Sequence, residues 1–100
     1  MLSKIEIGAF LNFYNRNGYV LNFSTSSFDA FTMQSIGVPL CQRYQLSKGK
    51  SLMAYCDDAD YDDVFKLLAD LLKYYELNCM GLYGENKFLP QYEKLQKDYG

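Results

Sequence analysis

The chain has 100 residues, 49% apolar and 22% charged, with a formal net charge of −2, which bounds it to one globular domain able to bury a core without disulfides or metal. It contains no histidine, and that excludes Ser-His-Asp and Cys-His nucleophile chemistry and removes the commonest metal ligand. Cys41, Cys56 and Cys79 form no C-x-x-C pair, so neither a zinc site nor a dithiol redox pair is indicated, and buried free thiols in a reducing cytosol are the expectation.

Charge is unevenly placed along the chain. Residues 1–56 carry Lys4, Arg16, Arg43, Lys48 and Lys50 against Glu6 and Asp29, a net of +3, whereas residues 57–76 carry a net of −5. Such a dipole excludes a general polyanion binder, because the acidic side repels phosphate, but leaves room for a local basic patch. No run approaches 18 uninterrupted apolar residues and the N-terminus lacks a signal-peptide core, so the expectation is a cytoplasmic protein without membrane contact. Seven Phe and ten Tyr, with no Trp, give a surplus of rings that suits half-buried positions and interfaces.

In chain order, Ser3 and Glu6 form a capping-box signature ahead of a helix carrying Ile5, Ala9, Phe10, Phe13 and Tyr14, which "NRNG" at 15–18 ends. "YVLNFS" at 19–24 reads as a minor β-element, which needs a partner to satisfy its edges. A second helix follows, capped by Ser26 or Ser27, with Asp29 favoured near its positive end and Gly37 as its stop. Pro39 opens a brief helix, and Ser47 caps the next, whose apolar face holds Leu52, Tyr55 and Cys56 with Met53 beside them. The pair at 39–56 has a helix-turn-helix outline. Asp60 caps the longest helix, in which Val64, Leu67, Leu68, Leu71, Leu72 and Tyr75 form one stripe. Glycines at 81 and 84 break the chain before a last helix with Pro90 in its first turn.

Two motifs suggest chemistry and fail. Gly49-Lys50-Ser51 ends like a P-loop, but the first glycine of that pattern falls on Tyr44 and no apolar strand precedes it. Asp58, Asp60 and Asp62 alternate like an EF-hand loop, but its glycine and its bidentate glutamate fall on Asp63 and Ala69. The acids crowd one segment and give no separated general acid and base. Neither a metal nor a cofactor is expected.

Two clusters remain. Arg43, Lys48 and Lys50 surround the N-terminus of a helix, where unpaired N–H groups seat anions; their counter-charge is either a nucleic acid or other anionic partner, or the protein's own aspartate run. Tyr55, Tyr74 and Tyr75 form either an interaction surface or a packed core edge.

The succession "FLNFYNRNGYVLNFS", "FDAFTMQSIGV", "YQLSKGKSLMAYC" and a "V…LL..LL.YYE" helix resembles the small N-terminal domains of AbiJ-type abortive-infection proteins of bacterial anti-phage defence. The resemblance covers about residues 5–76, and its most specific elements are Ser47-Lys48, Leu52 and Tyr55. It implies a non-catalytic sensing or interaction module placed ahead of an effector, often a HEPN-type ribonuclease. The expected fold is a mainly α compact bundle of five to six short helices, with the minor β-element around 19–24. The expected organisation is one domain over 1–100, the N-terminal module of a longer protein, with a core at about 3–76 and a C-terminal helix at about 89–100. Expected partners are the downstream effector domain, another protein or a second copy, with a helix-turn-helix-like nucleic-acid binder using Arg43, Lys48 and Lys50 as the alternative.

Overall fold

The computed structural model describes residues 3–16, 19–80, 82 and 84–99. Helix α1 runs Lys4–Tyr14. Its capping box forms as the sequence predicts, with the Ser3 hydroxyl accepting from the Glu6 N–H and the Glu6 carboxylate accepting from the Ser3 N–H. The strands β1 (Asn15–Arg16) and β2 (Tyr19–Val20) pair antiparallel. The β-element is therefore narrower than 19–24 and starts earlier. Leu21, with φ 50°, turns the chain out of the strand while its N–H donates to the Tyr14 carbonyl at 2.9 Å.

Helix α2 spans Thr25–Ile36 and is capped by Ser24, not by Ser26 or Ser27. The difference is a second capping box: the Ser24 hydroxyl accepts from the Ser27 N–H at 3.2 Å, and the Ser27 hydroxyl accepts from the Ser24 N–H at 2.9 Å. Gly37, at φ 75°, stops the helix as expected. Asp29 serves a different helix from the one expected: its carboxylate accepts from the N–H groups of Cys41 and Gln42 at 2.7 and 3.1 Å. Those are first-turn donors of α3 (Leu40–Tyr44), which has no side-chain cap of its own at Pro39.

Gln45, at φ 58°, ends α3 and leads to α4 (Lys48–Asp58), capped by Ser47. Helix α5 (Tyr61–Asn78) follows Asp60, which stands at the N-cap without making a side-chain hydrogen bond. Val64, Leu67, Leu68, Leu71, Leu72 and Tyr75 are all buried, and α5 is the central element of the core. Of the two glycines expected to break the chain after it, Gly84 has a positive φ of 85°, and Gly81 lies outside the described residues. A 3-10 turn (Asn86–Phe88) leads into α6 (Leu89–Tyr99), from which Tyr92 and Leu95 join the core. The described residues thus form a mainly α bundle of six α-helices with a two-strand sheet. None of the helices among them is long and apolar enough to cross a membrane.

Aromatic side chains cement the joints. Phe13 meets Tyr75 edge-on at 4.8 Å, joining α1 to α5. Phe23, just ahead of α2, stacks on Tyr74 at 4.2 Å and touches Phe28 and Phe31 at 5.4 and 5.2 Å.

Candidate functional site

The N-terminus of α4 is the segment where sequence reasoning placed most chemistry. The Ser47 hydroxyl accepts from the Lys50 N–H at 3.3 Å and fixes the first turn. Helical geometry then sends alternate residues to opposite sides, since positions two apart lie about 200° around the axis. Lys50 is exposed, whereas Lys48 is buried at 8% relative exposure, its ammonium 4.3 Å from the centre of the Tyr19 ring. Gly49 explains how the helix gets close enough: a Cβ there would lie 2.9 Å from Oδ1 of Asn15, in β1. Ser51, fully buried, donates to the Leu46 carbonyl at 3.1 Å. This end of α4 is a packing joint against the hairpin.

The three expected anion ligands therefore separate. Arg43, in the last turn of α3, and Lys50 remain exposed. Lys48 is directed into the joint, with Tyr19 in place of an external anion. None of the three makes a contact ion pair with the aspartate run: the ion pairs among the described residues join Arg16 to Glu85 and Lys66 to Asp70, and Asp58 of the run accepts from the Tyr44 hydroxyl at 3.5 Å.

The three tyrosines do not form a surface. Tyr75 is fully buried and Tyr55 is 6% exposed, because both lie on stripes that face the core. Tyr74 is half-buried, stacked on Phe23, and its hydroxyl donates to Asn22 Oδ1 at 2.7 Å. Core-edge packing is the reading these contacts fit.

All three thiols are held toward their protonated form. Burial, and then the charge of Asp57, pushes the Cys56 thiol up to about 12. Burial likewise raises Cys41 and Cys79. A cleft of about 230 Å³ between α1 and the α4–α5 junction is lined by Ile7, Gly8, Leu11, Cys56 and Val64, with Lys4 and Asp57 among its polar groups. Its lining offers apolar contact and one charge of each sign, without a carboxylate pair. Among the described residues no group of three or more His, Cys, Asp or Glu side chains could hold a metal ion.

Two features escaped sequence reasoning. Arg16 gathers the end of α1 and the segment after α5: its Nε donates to the Phe13 carbonyl at 3.0 Å, and its Nη1 donates to both Glu85 oxygens at 3.1 and 3.0 Å. A 69-residue separation left no local signal for this pair. The second feature is a run of exposed apolar side chains in the last turn of α5 and just past it: Leu77, Met80 and Leu82 are 74%, 45% and 49% exposed. A signal for it was present, because Leu77 falls outside the phase of the Val64–Tyr75 stripe.

No family model, no curated protein and no solved structure matches this chain.

Proposed function

We propose that the domain is a non-catalytic sensing or interaction module, the role that its resemblance to AbiJ-type N-terminal domains implies, working with an effector domain or a protein partner in bacterial anti-phage defence. The supporting observation is the run of Leu77, Met80 and Leu82, three large apolar side chains within six residues, all exposed. Exposed large apolar side chains close together in the chain are candidates for a contact site. The test is phage challenge of bacteria expressing the intact gene, with Leu77→Lys plus Leu82→Lys as the variant. The expected result is loss of protection with unchanged helix content by circular dichroism. Undiminished protection from the folded variant, or hydrolysis of a substrate by the purified domain, refutes the reading.

A second reading, a nucleic-acid binder, rests on Arg43 and Lys50, which stand exposed on the α3–α4 pair. Its test is binding to DNA and RNA across salt. Affinity should fall steeply as salt rises and collapse in Arg43→Ala plus Lys50→Ala, and an absence of binding at low salt ends the idea. Lys48 is left intact in that test, because its replacement disturbs the joint with Tyr19.

A further inference from the structure

Among the described residues two buried side-chain polar atoms have no hydrogen-bond partner: Nη2 of Arg16 and the hydroxyl of Tyr75. Both belong to the joint closed by residues 85–99. Glu85 holds the Arg16 guanidinium from one side, and the Phe88 ring covers it with its centre 3.5 Å from Cζ. Tyr92 packs its ring 5.2 Å from that of Tyr75, and its hydroxyl donates to Glu76. Four other buried residues have paired hydroxyls: Tyr14 to the Leu68 carbonyl, Ser35 to Asp70, Thr32 to the Asp29 carbonyl and Ser51 to the Leu46 carbonyl. The desolvation penalty of unpaired groups is thus concentrated where the C-terminal segment meets the rest of the fold.

Phe88 lies over the Arg16 guanidinium and Tyr92 against the Tyr75 ring, so releasing residues 85–99 removes cover from both groups that carry the orphan atoms. Against release stand the Arg16–Glu85 pair, the Arg16–Phe88 stack, the Tyr92–Glu76 bond and the burial of Tyr92 and Leu95. Gly84, at φ 85° with nothing within 4 Å of where a Cβ would sit, marks the start of the segment, where the Glu85 N–H donates to the Leu82 carbonyl at 3.0 Å.

We propose that residues 85–99 form a strap that undocks as a unit while α1–α5 stay folded, uncovering the rings of Phe13 and Tyr75. As a means of regulating contact with a partner, this rests on the interaction-module reading; as a property of the fold, it does not. In the closed state the core keeps its rings covered. In the open state Phe13 and Tyr75 offer an aromatic floor shaped for a helix that presents a tyrosine and a leucine one turn apart, as α6 does with Tyr92 and Leu95.

Native-state hydrogen exchange on the whole chain tests the strap with no partner present, so its result stands apart from the phage challenge. Amides of residues 92–98 should share one opening free energy and exchange roughly 100-fold faster than those of Leu67–Tyr75. Tyr75→Phe deletes an orphan hydroxyl without removing a partner, so it should slow strap exchange roughly fivefold or more. Phe88→Ala should speed it roughly tenfold and leave the α5 amides unchanged. Exchange graded from the C-terminal end, strap and α5 opening together, or faster strap exchange in Tyr75→Phe each overturns the proposal. The Tyr75→Phe and wild-type measurements decide it even where Phe88→Ala does not fold.

Discussion

The ammonium of Lys48 sits over the Tyr19 ring, and the residue is otherwise enclosed by the α4–hairpin joint. A lysine in that position contributes through its aliphatic stem and through the attraction of its charge for the ring face. Lys50, two residues on, points to solvent and has only helix propensity to contribute. Lys48→Ala is therefore expected to lower stability by about 1–2 kcal/mol, and Lys50→Ala to change it by less than about 0.5 kcal/mol. Urea denaturation of the two variants checks this, and equal losses would show that Lys48 is as solvated as its neighbour. The sequence carried the means to separate the lysines. With Ser47 as cap and Leu52 and Tyr55 inward, position 48 falls on the buried side and position 50 does not. What it could not supply was the identity of the opposing ring, which depends on where the hairpin sits.

At the scale of elements, two helical glycines face opposite circumstances. Gly8 lies inside α1 with nothing within 4 Å of where a methyl group would sit, whereas a Cβ on Gly49 would press on Asn15 at 2.9–3.1 Å. An interior glycine exposes its helix to about 0.8–1 kcal/mol of lost propensity relative to alanine, which Gly8→Ala should recover in full. Gly49 is the second residue of α4, where the propensity gain is small, and the half-buried Asn15 must be displaced from its own interactions. Gly49→Ala should therefore destabilise by about 1 kcal/mol or more. Thermal unfolding of both separates them, since about 1 kcal/mol moves the midpoint by roughly 4–8 °C in a domain of this size; a gain in both variants would show that Asn15 yields freely. Elements were read best where one local rule decided them. The Ser3–Glu6 box, the Gly37 stop, the Ser47 cap and the α5 stripe all appear where spacing put them. Failures came where two local solutions competed, or where a distant group supplied the bond. Four hydroxyls at 24–27 all qualify as caps, and the Ser24–Ser27 reciprocity chose among them. Asp29 looked like a partner for its own helix and instead reaches twelve residues ahead to Cys41.

For the molecule as a whole, the surplus of tyrosine has a consequence at high pH. Tyr14 is fully buried, and desolvation, followed by the charge of Glu76, holds its hydroxyl well above the ordinary value of 10.0. Burial, with the hydrogen bond to Glu76 next, raises Tyr92 to about 12. Cys56 moves the same way, from 9.0 to about 12. Each group is neutral when protonated and is harder to ionise in the folded chain than in the unfolded one. The stability linked to it is therefore whole below the unfolded value and drains away as pH rises toward the folded value. The window runs from about pH 9 to about 12 for the Cys56 thiol and from about pH 10 to about 12 for the Tyr92 hydroxyl. Each proton held in this way steepens the decline by up to about 1.4 kcal/mol per pH unit. Urea midpoints should accordingly fall progressively above pH 9. Tyr92→Phe tests the assignment: it gives up the bond to Glu76 and costs about 1 kcal/mol at neutral pH, yet it removes one ionising group. Its stability should decline less steeply between pH 10 and 12 than that of the wild type. Parallel curves would mean that the strap has already released Tyr92 to solvent before the hydroxyl ionises, so that alkali would report on the opening of residues 85–99 before it reports on the core.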